Sequence, residues 1–346
     1  MAITIKDVAR EAGLAVSTVS KAMNGAQGVS EEARTKVREV IERLDYHPNV
    51  RAQNFVRRSS RTILFLTALE QGIGFSNPHL FEIIAGVEAA LRHKGYALEL
   101  RGATPEEACN LVRMAAVQQM ADGVVLHASI LSKELDTLIS ELELPHIAIG
   151  YPSFPSHFSW IDSDNSLAGE MAAKHLMDCG YRRIGFIGGW EDDKISTHRL
   201  EGVKKELELS GIALTKDLLR QGDSTCDHGY ELALRLLSAE RRPDAIICAN
   251  NLLAYGCFQA MRDKNISIPK DMALLTFDDF PFSRVLHPML SCVTIDVYDM
   301  GFQAGKHILA MIKKPNLRVQ TYTTLPVLIK RASTETSDTK RQRGSR

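Results

Sequence analysis

Apolar residues recur at helical spacing through residues 1–60. Ile5, Val8, Ala9 and Ala12 share one face of a helix that Gly13 stops. Thr4 and Asp7 have capping-box spacing, with Asp where Glu is more usual. Val16, Val19, Ala22 and Met23 suit a second short helix ended by Asn24-Gly25. Ser30 caps a third, with Glu31 and Glu32 in the first turn, where the helix dipole favours acids. Its stripe is Val37, Val40, Ile41 and Leu44, and Tyr46-His47-Pro48 ends it. Helix, glycine turn, helix and packing helix is the helix-turn-helix plan, although three small helices can also form an unrelated bundle.

From residue 61 the pattern changes to short β-rich runs alternating with amphipathic helices. Strands are predicted at 62–67, 96–100, 123–126, 146–149, 184–188, 245–249, 273–277 and 293–295. Helices are predicted at 79–94 and near 104–120, 165–179, 197–210, 226–238, 252–264 and 297–313. Repeated βα units imply parallel doubly wound sheets, and the length of this body implies two lobes. The predicted fold is an all-α helix-turn-helix head on an α/β body. Ligands then belong at the carboxyl ends of strands. Those ends carry Ser76, Asn77, His79, Asn250, Asn251, Asp278 and Asp279, with Arg199 on a following helix. Carboxylate, amide and guanidinium together suit vicinal hydroxyls or a heterocycle, while each alone also suits a cap or turn.

Charge sharpens this division. The chain has 42 basic and 42 acidic residues, yet residues 1–62 are net +4, residues 63–329 are −8 and residues 330–346 are +4. A basic head on an acidic body suits a polyanion-binding module on a sensing or catalytic body; scattered surface charge is the plainer account. The six cysteines are scattered without a C-x-x-C pair, which favours reduced thiols. No G-x-S-x-G, H-E-x-x-H or Walker A sequence occurs, so no catalysis, metal or cofactor is expected. No apolar run reaches membrane-spanning length, and Met1–Lys6 runs straight into charge without a signal-peptide core, which points to a cytoplasmic protein.

Specific residues go further. Thr4-Ile-Lys-Asp-Val-Ala-Arg-Glu-Ala-Gly13, Ser17-Thr-Val-Ser20, Met23-Asn-Gly25, Val29-Ser-Glu-Glu-Ala-Arg34 and Leu44-Asp-Tyr-His-Pro-Asn49 occur in this order and spacing. Together they resemble the head of the lactose/galactose repressor family of bacterial transcription regulators. The resemblance implies a second helix in the major groove of operator DNA. Val16, Ser17 and Lys21 would then face base edges, with Thr18 and Ser20 near phosphates. It also puts Thr4, Asn24, Val29 and Asn49 in the DNA interface. Val can meet a thymine methyl, Ser can pair either way and Lys can reach guanine. The family usually has Arg at Lys21, and Ser or Thr at Ala15, where the missing cap costs about 1 kcal/mol. Residues 48–61 carry four Arg and no acid. They match the family's hinge, with Phe55 at the minor-groove wedge and Ala52 at the close helix approach; a plain flexible linker is the alternative.

The resemblance continues through Asp122-Gly-Val-Val125, Asp164-Asn165, Gly180–Gly189, Arg199-Leu-Glu-Gly202, Ala249-Asn250, Phe277-Asp-Asp279 and His287-Pro-Met-Leu-Ser291. These are similar to the family's effector core, itself like periplasmic sugar-binding proteins. It implies effector contacts at Arg199, Asn250 and Asp278, and pocket-wall positions at His79, Leu80 and Trp160. Departures occur where the family often stacks an aromatic ring, here Ser224, and where it has Asn-Asp, here Asn250-Asn251. Trp190 or Trp160 could supply the apolar face. The expected organisation is a DNA-binding domain at 1–47, a hinge at 48–60, a core at 61–332 and a disordered tail at 333–346. Within the core, one lobe takes 61–160 and 295–323, the other 161–294 and 324–332. The resemblance implies a homodimer on a near-palindromic operator, with a sugar or sugar derivative as effector. Release by an inducer is the reading taken over assistance by a corepressor. A solute-binding protein would leave residues 1–60 without a role.

Overall fold

In the computed structural model, which describes residues 3–46, 59–72, 77–315, 317 and 321–335, the head is three helices. These are α1 (Ile5–Ala12), α2 (Val16–Met23) and α3 (Glu31–Leu44). The Asp7 carboxylate accepts from the Thr4 backbone N–H and hydroxyl at 3.0 and 2.7 Å, which closes the first turn. Gly13 ends α1 at φ 63°, a left-handed value that glycine adopts without strain. Ser30 caps α3 by accepting from the Ala33 N–H. Val8, Ala9, Ala12, Val19, Val37, Val40 and Tyr46 form one small core. Tyr46, predicted only as a helix terminator, is therefore a core residue.

The body has two six-stranded sheets. The first is built from β1 (Thr62–Thr67), β2 (Ala97–Gly102), β3 (Gly123–His127), β4 (His146–Ile149), β5 (Trp160–Ser163) and β11 (Thr321–Thr324), in the order β11-β5-β4-β3-β1-β2. All of its pairings are parallel. The second contains β6 (Ile184–Gly188), β7 (Leu219–Gln221), β8 (Ala245–Cys248), β9 (Ala273–Phe277), β10 (Ser291–Thr294) and β12 (Val327–Ile329), in the order β12-β10-β9-β8-β6-β7. Only β12 runs antiparallel. Each sheet is covered on both faces. On β1, Ile63 and Phe65 enter one apolar cluster while Leu64 and Leu66 enter another. That two-sided burial explains the uninterrupted apolar runs.

The helices are α4 (His79–Arg92), α5 (Pro105–Val117), α6 (Lys133–Leu142), α7 (Asn165–Asp178), α8 (Lys194–Leu209), α9 (Cys226–Leu237), α10 (Asn251–Asp263) and α11 (Val297–Lys313). In each lobe the chain leaves its first strand in one direction and returns on the other side, between β1 and β3 and between β6 and β8. Such switch points open a crevice at the carboxyl ends. No helix among the described residues is long and apolar enough to cross a membrane.

Several expectations need correction. α6, β5, β7, β11 and β12 were not predicted. β5 reads Trp-Ile-Asp-Ser, whose polar residues interrupt the apolar pattern although three of its four positions are buried. It keeps Trp160–Ser163 in the first sheet, so the first lobe extends through Ser163, three residues past the expected crossing near 160. The disordered tail cannot start at 333. Ser333 and Thr334 are fully buried. The Ser333 hydroxyl donates to the Leu274 carbonyl at 2.6 Å and accepts from the Ser291 N–H at 2.8 Å. Thr334 Oγ1 meets His175 Nε2 at 2.8 Å. Short hydroxyl side chains read as tail in sequence, but here they satisfy buried polar groups. Asn49, Ala52, Phe55 and Ser76 lie outside the described residues.

Candidate DNA interface and ligand cleft

On α2, Val19 is buried while Val16, Ser17 and Lys21 are exposed, and Thr18 and Ser20 are half-buried. Val16, at 41% exposure, is therefore not a core residue. Those positions form one outward face, with the apolar methyls, hydroxyl and ammonium that base edges accept. Ala15 gives α2 no side-chain cap. The far end is secured: Asn24 Nδ2 donates to the Ser20 carbonyl at 2.8 Å, and Arg34 donates to the Ala26 carbonyl at 2.6 Å. Asn24 and Thr4 thus have capping roles within the head. Val29 is half-buried. The chain enters the body at Ser60, whose N–H and hydroxyl both donate to Asp122 Oδ1 at 2.6 and 2.8 Å.

The second site starts from a close helix crossing. A Cβ on Gly169 would lie 2.0 Å from the Arg199 carbonyl oxygen, and one on Gly202 would lie 1.9 Å from the Ser166 carbonyl oxygen. Only glycine allows α7 and α8 to approach this closely. The crossing brings Asn165, at the start of α7, to Arg199, on α8. Arg199 Nε donates to Asn165 Oδ1 at 3.0 Å, and Nη1 donates to the Ala249 carbonyl at 2.7 Å. Both terminal nitrogens lie 3.4 Å from Asp278 Oδ2. The guanidinium also sits 4.4 Å over the Phe277 ring. Arg199 is 4% exposed and Asp278 7%.

Asp278 follows β9 at φ 68°, a left-handed conformation that Asp tolerates better than most residues. Asn251 pins it: Asn251 Nδ2 donates to the Phe277 and Asp278 carbonyls at 2.7 and 3.0 Å, and its Oδ1 accepts from the Ser283 hydroxyl at 2.6 Å. Asp278 Oδ1 is buried without a hydrogen-bond partner. Such an atom calls for an explanation, and a ligand donor is one. Asp279 belongs to a different arrangement, clamped by Arg284 at 2.8 Å and Arg331 at 2.7 Å. Burial alone would raise its pKa, but hydrogen bonds from Arg284 and Arg331 prevail and hold it below the usual carboxylate range. The two neighbouring acids therefore do not form one carboxylate pair.

The first lobe contributes His79, which packs edge-on to Phe280 at 4.6 Å between ring centroids. Burial lowers its pKa, while Asp278 acts to raise it and Arg199 to lower it. His79 is thus within electrostatic reach of both. Tyr151 packs edge-on against Trp160 at 5.1 Å and against His198 of the second lobe at 5.7 Å. Asp162 Oδ2 accepts from the Tyr151 N–H at 3.0 Å. Burial raises the Asp162 pKa, against the backbone bonds and the nearby Arg199 and His198 charges.

Of the predicted effector residues, Arg199, Asp278 and His79 come together. Asn250 is half-buried, and its Oδ1 caps α10 by accepting from the Leu253 N–H at 3.0 Å. Leu80 is 1% exposed inside the first lobe's core with Ile83, Val87 and Leu91, which corrects its expected pocket-wall position: helical spacing turns it toward the sheet. Trp160 meets Tyr151, whereas Trp190 is 54% exposed and donates to Asp223 at 2.7 Å. Asn165, Asp162, Tyr151 and His198 were not predicted. The Asp within the apolar neighbourhood of β5 was the available signal. Among the described residues no group of three or more His, Cys, Asp or Glu could hold a metal ion.

The family described as "Bacterial regulatory proteins, lacI family" matches residues 4–49, and the periplasmic binding protein-like domain matches 173–334. The ribose operon repressor of Haemophilus influenzae is 30% identical over 333 residues, spanning 95% of this chain and 98% of that one. Among solved structures, the transcriptional regulator CelR–cellobiose complex is 27% identical with TM-score 0.72, covering 96% of this chain and 99% of that one. The lac repressor dimer bound to operator and the anti-inducer ONPF is 21% identical with TM-score 0.84, over 97% and 100%, a likeness of fold. With a head whose second helix turns Val16, Ser17 and Lys21 outward and a buried Arg–Asp pair at the carboxyl end of β9, the chain belongs to the lacI family of bacterial regulatory proteins: it is a DNA-binding transcriptional repressor and not an enzyme.

Proposed function

We propose that the protein acts in the cytoplasm as a homodimer on a near-palindromic operator and is released by a sugar-type inducer. Val16, Ser17 and Lys21 read base edges, while Thr18 and Ser20 contact phosphates; Thr4, Asn24, Val29 and Asn49 flank them. Phosphate contacts supply salt-dependent affinity, and base contacts supply sequence choice. Phe55 wedges the minor groove, with Ala52 at the close approach of paired hinges. Arg199, Asp278 and Asn250 hold the effector, with His79 and Trp160 beside it.

The observation that carries this reading is the unpartnered Asp278 Oδ1 beside buried Arg199, at the carboxyl end of β9 and within electrostatic reach of His79 from the other lobe. An effector held by groups from both lobes favours one lobe arrangement, and that differential affinity is all that coupling to the heads requires. The relatives named as a ribose operon repressor and a cellobiose complex support a sugar.

The test is selection of binding sites from random duplexes, then anisotropy titration of the winner at two salt concentrations with and without sugars. A pseudo-palindrome released by a sugar is expected. Tighter binding with sugar would refute the inducer direction. Lys21→Ala should relax base preference at one position per half-site, by about 1–3 kcal/mol of discrimination; an unchanged site profile removes Lys21 as a reader.

A further inference from the structure

The second lobe has a cavity of about 440 Å³ at the opposite end of its sheet from the cleft. It lies where α9 runs out, beside Arg242 in the loop before β8 and Lys264 and Ile266 between α10 and β9. Helix-to-strand connections sit at the amino ends of parallel strands, whereas Arg199 and Asp278 meet at the carboxyl ends. The four residues of β8 separate the two ends by about 13 Å. The lobes face each other through their carboxyl ends, where His79 meets Phe280 and Tyr151 meets His198. The head joins the amino end of β1 on the other lobe. The cavity is therefore at the pole of the body away from the head.

Leu234, Leu237 and Ile266 give the cavity an apolar floor continuous with the lobe's core. Arg235, Arg242 and Lys264 line the rest with Ser238, and no acid does. Among the described residues no carboxylate pairs with Arg242 or Lys264, and Glu231 lies 3.8 Å from Arg235, beyond hydrogen-bonding distance. Helix dipoles account for cations at the ends of α9 and α10, but Arg242 belongs to no helix. Each helix end brings about −0.5 charge, so the three cations leave the cavity with an excess of about +2.

We propose that this cavity is a second small-molecule site, separate from the effector cleft, and that it takes a mononucleotide, with the phosphate on the three cations and the ring on the apolar floor. A phosphate monoester carries about −1.5 to −2 at neutral pH, which matches the excess, whereas a carboxylate carries half as much. The guanidinium forks of Arg235 and Arg242 suit phosphate oxygens, and Lys264 adds a point charge. The volume falls within the range of about 300–1,000 Å³ that small-molecule sites occupy. The proposal does not depend on the effector reading.

The experiment is calorimetric titration of the full chain with AMP, GMP, CMP and UMP, beside their nucleosides and inorganic phosphate. At least one nucleotide should bind at least about tenfold more tightly than its nucleoside and than phosphate, because linking the two parts makes the second contact intramolecular. Arg242→Ala/Lys264→Ala should weaken that nucleotide at least about tenfold, with operator binding retained as the check on folding. Arg235→Gln should weaken it about threefold or more, which keeps the test available if the double variant does not fold. Absence of binding by all four nucleotides at about 5 mM overturns the proposal. Phosphate that binds as tightly as every nucleotide reduces the site to a bare anion patch and overturns the nucleotide assignment. Nucleotide binding that survives both variants unchanged lies elsewhere on the protein and overturns the site.

Discussion

Gly202→Ala isolates the helix crossing that builds the cleft. The new Cβ would lie 1.9 Å from the Ser166 carbonyl oxygen. A tolerable C···O contact is about 3.3 Å, so α7 and α8 must separate by roughly 1.4 Å. Ser166 neighbours Asn165 and Gly202 lies one turn beyond Arg199, so the same movement lengthens the 3.0 Å Arg199–Asn165 bond past the hydrogen-bonding range. Overpacking costs about 1–3 kcal/mol and a lost charge-assisted bond about 1.5–3 kcal/mol. Replacing a helical glycine returns about 1 kcal/mol. The expected net loss is about 1.5–5 kcal/mol in urea unfolding followed by circular dichroism. Gly86→Ala is the control: its Cβ would lie 2.1 Å from the Tyr298 carbonyl oxygen, at the α4–α11 crossing of the other lobe. It should cost similar stability while leaving sugar binding stronger than in Gly202→Ala. Unfolding free energy for Gly202→Ala within about 0.5 kcal/mol of the parent would refute the reasoning.

Other perturbations test separate links. Arg199→Met strands a buried carboxylate and should destabilise by about 3–5 kcal/mol, much of it recovered in Arg199→Met/Asp278→Asn; a simple sum of the two single effects would deny their coupling. Ala15→Ser supplies the cap that α2 lacks and should stabilise it by about 1 kcal/mol, seen as slower amide exchange at Thr18 and Val19; unchanged exchange would count against it. Burial lowers the His127 imidazole to about 4, and its Nδ1 accepts from the Ser129 N–H at 3.3 Å. The unfolded ring, near its ordinary value of about 6.5, binds more protons between these limits, so stability is full above the upper one and falls as pH drops toward the lower. The ring keeps some solvent exposure, so the slope should stay below the limit of about 1.4 kcal/mol per pH unit. His127→Asn should flatten it, and equal slopes in the two proteins would exclude His127 as the source.

Local periodicity determined much of this protein from the sequence alone. β1, β4, β6, β9 and α11 match their predicted limits, and the head's helices follow from caps and stripes that act within a few residues. The place of Asp278 was also legible, because strand ends are recognisable wherever strands are, and Arg199 followed from the family resemblance. The tertiary structure decided which polar residues are buried and with whom. Asn165 reaches Arg199 only because two glycines let α7 and α8 touch, and Asn251 holds the Asp278 loop through partners 26 and 27 residues away. Leu80 fits the spacing of both a pocket wall and a core, and packing assigned it to the core. Asp162, Ser333 and Thr334 look exposed in sequence, yet each is buried, Asp162 and Ser333 where distant backbone groups satisfy them and Thr334 where the His175 and Ser291 side chains do. Apolar burial leaves a periodic trace along the chain, whereas a buried hydrogen bond depends on a partner that only folding brings within about 3 Å.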